Sequence, residues 1–242
     1  MDLNERVTRL KRLLGEQRIT RGVFLDSDAE GREVMCLLSA VSPEVAHTEV
    51  PEDCPADVMP TWLAHLTVAM TDKGSEDEWK GLVERYVKLA EHWHVLHSNK
   101  AWDRVAFRVR QELLRIIRGY TTNIYELFFI MKALELCTRG VEGAPDLNEI
   151  TIVRTLVMDL QEVTGRFVPT PGLEIVEFLL DDEDDESIRK AAGRLEELAY
   201  RVGSKHRPND ASMRNLMWDR INTAVLNSID HEIYYITDTE TM

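Results

Sequence analysis

The stretch TNIYELFFIMKALELCT, residues 122–138, decides the architecture expected of this chain. Wound as an α-helix, it carries apolar side chains around most of its circumference, and such a helix is stable where other helices surround it. Its longest unbroken apolar run, Leu127 to Met131, falls far short of the ~20 residues that cross a bilayer. The stretch therefore reads as the centre of a helical bundle, and the sequence on either side supplies the partners.

Upstream, Ser75 and Glu78 in GSEDEW form a capping pair. Trp79, Leu82, Val83, Tyr86, Leu89, Ala90 and Trp93 then recur at three and four residues. Ser98 is placed to cap a further helix that runs to about Gly119. Downstream, Asp146 and Glu149 open a helix through Val163, with Ile150, Val153, Leu156, Val157 and Leu160 on one side. GRFVPTPG at 165–172 breaks the chain, and helices follow over Leu173 to Leu180, over 186–202 and from Ser212 to about Ile229. The tail EIYYITDTETM reads as strand-like or frayed.

Nearer the N-terminus, Leu3, Val7, Leu10 and Leu14 predict a short helix that stops near Gly15. In RGVFLDSDAEGREVMCLLSAV, residues 21–41, two apolar runs flank DSDAEG, the composition of a β-hairpin, while Arg32 to Val41 fits a helix equally well. Residues 42–60 hold four prolines and read as an extended connection ending at Pro60. The expected fold is mainly α: a bundle-like multi-helix domain with a small β-hairpin near the N-terminus. A small α/β element over 1–50 packs on a helical domain over 51–242.

Across its 242 residues the chain has 29 basic and 43 acidic side chains, a net charge of −14. That field repels phosphate, so global binding to nucleic acid or to an anionic membrane is disfavoured, leaving only local contacts. Cys36, Cys54 and Cys137 are far apart and make no CxxC pair, as in proteins of reducing compartments. The opening residues MDLNERVTRLKRLLGEQ hold no apolar signal core. A soluble, cytoplasmic protein without a membrane segment is expected.

Against this acidic background, residues 99–120 carry Lys100 and five arginines but only Asp103 and Glu112 as acids. At about 100° per residue, Arg104, Arg108, Gln111, Arg115 and Arg118 share one face. Trp102, Val105, Val109, Leu113, Ile116 and Tyr120 stand opposite. Guanidinium groups pair bidentately with carboxylate or phosphate. Three uses fit this row: a solvated face, an internal partner in the acidic run DDEDDE at 181–186, or an acidic or phosphorylated surface of another protein.

Other constellations are weaker. His92 and His94 diverge by about 200° on a helix and cannot share an ion; His94 and His97, about 60° apart, could bind together with Glu91 beside them, but no HExxH pattern or second ligand cluster supports a metal. The acidic run lacks the glycine and the distal glutamate of a calcium loop, and instead suits the positive start of a helix at 186–202. Asp159 with Glu162, and Glu174 with Glu177, each put two carboxylates on one helix face, as magnesium-dependent nucleotide hydrolysis requires. With 43 acids in the chain, such pairs also arise by chance. Cys54 before Pro55 near a helix start suggests a lowered thiol pKa, opposed by Glu52, Asp53 and Asp57. No motif for nucleophilic catalysis, phosphate cradling or zinc is present.

The expected function is that of a helical protein-interaction factor, such as an adaptor, inhibitor or immunity-type protein, working without catalysis, cofactor or metal. The five residues of the arginine row are its candidate binding residues. The alternatives are a magnesium- or manganese-dependent nucleotide hydrolase built on Asp159, Glu162, Glu174 and Glu177, and local nucleic-acid binding through the arginine face.

Overall fold

The computed structural model describes residues 1–99, 101–164, 170–181, 183–204 and 212–239. These are mainly helical, at 75%, with twelve α-helices and one two-stranded antiparallel hairpin among the described residues. The chain divides into two compact units: residues 1–101 with 229–242, and residues 102–228.

The first unit opens with α1 (Leu3–Gly15), whose start is closed by a reciprocal cap: Asp2 accepts from the Glu5 amide and Glu5 from the Asp2 amide, both at 2.9 Å. Leu10 and Leu13 of α1 are fully buried. The hairpin pairs β1 (Leu25–Ser27) with β2 (Glu33–Met35), Leu25 opposite Met35. Both readings of Arg32–Val41 hold in part, since β2 passes directly into the short helix α2 (Leu37–Val41). Residues 42–60 are not an extended connection: α3 (Pro43–Thr48) and a 3-10 turn at Pro51–Asp53 lie there before α4 (Thr61–Asp72). Pro43 and Pro51 stand in the first turn of these segments, where a missing amide costs nothing.

The helix read from Trp79 to Trp93 is two helices. α5 (Glu76–Ala90) ends at Glu91, and α6 (Trp93–Ser98) restarts after His92. Tyr86 meets Trp93 edge to face across this break, with ring centroids 5.4 Å apart, and both side chains are buried.

The second unit contains α7 (Trp102–Arg118), α8 (Ile124–Val141), α9 (Leu147–Thr164), α10 (Pro171–Leu180) and α11 (Ser187–Ser204), with α12 (Ser212–Thr239) beginning in it. Ser98 belongs to α6 and does not cap α7. The tail is helical to Thr239 as the continuation of α12, not strand-like. The ten-residue α10 packs against α8, α9 and α11. Leu173, Ile175, Val176, Leu179 and Leu180 of α10 are buried. It therefore fills the position that the sequence suggested for α8, which is buried along one side only.

Candidate interaction surface

α7 is buried around far more of its circumference than an amphipathic helix with one solvated face. Ala106, Phe107, Arg110, Gln111, Leu114 and Ile117 are buried in addition to the expected apolar stripe. Of the five row residues, Arg115 and Arg118 are exposed, Arg104 and Arg108 are half-buried, and Gln111 is buried. Gln111 donates to Thr138 of α8 at 2.8 Å, and Arg115 pairs with Glu112 one turn earlier.

The acidic run does meet α7, through a different arginine. Arg110, 9% exposed, donates to the Asp181 carbonyl at 3.1 Å and lies 5.4 Å from the Phe107 ring centroid. Asp181 itself is buried and takes Arg154 of α9 on its carboxylate. Its other oxygen accepts the amides of Glu183 and Asp184, and Lys190 and Arg189 of α11 pair with Asp184 and Glu186. Asp181, Asp184 and Glu186 of the run are thus each paired with a basic side chain of the same unit. Neither the buried Arg110 nor the half-buried Arg154 is marked in the sequence, because an arginine turned inward leaves no periodic signal.

The paired carboxylates do not converge. Glu174 is engaged by Arg194 at 2.7 Å, and Asp159 and Glu162 are exposed. Among the described residues of the second unit, no three His, Cys, Asp or Glu side chains bring ligand atoms within 4.8 Å of one another. His92 lies at the start of α6, His94 contacts the Glu91 carbonyl, and His97 reaches the Val58 carbonyl at 3.0 Å. Burial pushes the Cys54 thiol up to about 11 and the Cys137 thiol up to about 12, the reverse of an activated nucleophile. In the first unit, Leu14, Ile19, Trp79, Val83, Lys80 and Glu84 are among the residues lining an open depression of about 440 Å³.

The strongest feature is a surface that the sequence reading assigned to the core. Ile124, Tyr125, Phe128 and Met131 of α8 are 74, 61, 64 and 49% exposed. Ile124, Phe128 and Met131 follow at four and three residues and so form one stripe. Contacts fix which way the stripe points. The Gln111–Thr138 bond marks the seam with α7, Lys132 and Arg139 reach Glu149 across the seam with α9, and Glu126 accepts from the Gly172 amide of α10 at 3.0 Å. The stripe lies between the α7 and α9 seams, on the side away from α10. On α9, Ile152, Leu156 and Val163 are 60, 51 and 66% exposed and share the edge that carries Glu149.

Register follows from the same contacts. With Gln111 level with Thr138 in the antiparallel pair, Arg115 is level with Leu134, and Arg118 with Met131. With Glu149 between Lys132 and Arg139, Leu156 falls level with Phe128, and Asp159 with Tyr125. One face of the unit therefore carries an apolar centre flanked by exposed arginine on α7 and exposed carboxylate on α9. Monomeric surfaces rarely leave large apolar side chains contiguous. The chain matches no protein-family model, no curated protein and no solved structure.

Proposed function

We propose that this protein acts by binding another protein through the outer face of α7, α8 and α9, as a helical interaction factor without chemistry of its own. The observation that carries the reading is the exposed stripe Ile124, Phe128 and Met131, bordered by Leu156 of the neighbouring helix. Burying such side chains against a partner contributes up to about 1.5–3 kcal/mol each, which works against the several kcal/mol that association costs. The arginine row enters this reading as a border of the surface, with Arg115 and Arg118 as its exposed members.

The test is an affinity capture from nuclease-treated lysate of the native host, comparing wild type with Phe128→Asp and with Arg115→Gln/Arg118→Gln, each checked for fold by circular dichroism. A protein retained by wild type and lost by Phe128→Asp supports the reading. Identical captures from wild type and a folded Phe128→Asp variant would exclude this face.

A further inference from the structure

The geometry points to an amphipathic helix of another protein, carrying acidic side chains along one edge of its apolar face, as the occupant of the α8 stripe. This inference rests on the protein-binding reading above and specifies the partner's chemistry. Ile124, Phe128 and Met131 span about 10 Å of helix, and Leu156 lies beside Phe128 on the next helix. A row of this length with a second apolar edge alongside matches the i, i+3, i+4, i+7 anchors of a helix laid in a groove.

Charge selects among helices. Along the α7 side, Arg115 and Arg118 are exposed beside the stripe, with Glu112 the acid paired to Arg115. Along the α9 side, Asp159 is exposed, level with Tyr125. A helix with carboxylates over α7 satisfies the arginines, and its other edge meets Asp159 only with neutral or basic groups. The unit as a whole tolerates such a partner, because it holds 17 basic against 21 acidic residues, whereas the first unit holds 12 against 22.

A second copy of the chain fits less well. Laid antiparallel on itself, it sets the α7 edge against the α7 edge and the α9 edge against the α9 edge, like charge facing like. Laid parallel, it sets Arg118 near the level of Val153, about two turns short of Asp159. Neither arrangement joins the two charged edges.

Two fluorescein-labelled peptides of about 18 residues, long enough to hold helix when bound, provide the test. They share one leucine face and differ only along one edge, which carries Glu in one and Gln in the other. Binding is read by anisotropy on the full chain at physiological salt. The Glu peptide is expected to bind about 10-fold tighter than the Gln peptide, the effect of two modest charge pairs. Arg115→Gln/Arg118→Gln is expected to abolish that difference, and Phe128→Asp to remove binding of both peptides, with unchanged dichroism in each variant.

Equal affinity of the two peptides, an undiminished preference in the arginine variant, binding indifferent to Phe128→Asp, or no binding at all would each overturn the inference. So would a wild-type dimer in light scattering that Phe128→Asp converts to monomer, because the occupant is then a second copy. If the lysate capture still depends on Phe128, failure here removes only the acidic helix. If the capture is also indifferent, the protein-binding reading falls with it.

Discussion

Glu126 shows how a single acid organises the second unit. It stands three residues after Asn123, the cap of α8, where a glutamate ordinarily turns back to its own helix. Instead it is buried at 4% exposure, takes the Thr121 hydroxyl, and accepts the Gly172 amide at the start of α10. The carboxylate thus meets the positive ends of two helices. A Cβ at Gly172 would stand 2.7 Å from the Glu126 carboxyl carbon. Gly172→Ala is therefore expected to lower unfolding free energy by about 1–3 kcal/mol, through overpacking against a polar contact, as measured by urea titration. Gly193→Ala is the control, because nothing lies within 4 Å of its Cβ direction. In the first unit, Arg6 donates to both oxygens of Glu44 at 2.7 Å and holds that carboxyl at about 2. The folded value lies below the ordinary glutamate value of about 4.3. The pair's contribution is therefore complete above that range and fades as pH falls toward 2. Unfolding midpoints measured between pH 6 and pH 3 should fall more steeply for wild type than for Arg6→Met, and parallel slopes would refute the assignment.

At the level of elements, α8 is the instructive case. Its sequence is apolar around most of the helix, and nothing in that pattern distinguishes a helix enclosed by its own chain from one enclosed on one side only. The difference is made by α10, ten residues whose ends are tied by Glu126 to the Gly172 amide and by Arg110 to the Asp181 carbonyl. Two substitutions separate the two sides of α8. Ile130→Ala, at a fully buried position, should cost about 2–5 kcal/mol by opening a cavity. Phe128→Asp, two residues earlier and 64% exposed, should shift stability by less than about 0.5 kcal/mol in the same denaturation experiment. Equal losses at both positions would place Phe128 in the core. Capping chemistry made helix starts legible only in part: the Glu149 amide does donate to Asp146, at 3.0 Å, and Ser75 does stand at the start of α5, though with no side-chain capping bond, whereas Ser98 lies inside α6. The α5–α6 break at His92 was not legible, because Trp79 to Trp93 keeps its spacing across it. The arginine row was visible as a periodicity, but which members stay exposed depends on where α8 lies.

The whole molecule is legible in class, mainly helical with an N-terminal hairpin, and not in the way its ends are used. Residues 229–239 complete the first unit although 127 residues of the second separate them from it. Ile229, Ile233 and Ile236 are buried, and Arg85 of α5 reaches Asp230 at 3.3 Å. Truncation after Ser228 should therefore destabilise residues 1–101 by several kcal/mol, from the loss of three buried isoleucines at roughly 1.5–3 kcal/mol each. Limited proteolysis should then cut first within that segment, and an unchanged cleavage pattern would contradict the assignment. A ribosome meets the same arrangement as a matter of timing. The first hundred residues emerge early but wait, unfinished, for the last helix, while every residue of the intervening unit is already available to fold. The order of completion on synthesis is the reverse of the order of sequence, and the earliest segment to appear is the one that stays open longest to chaperones.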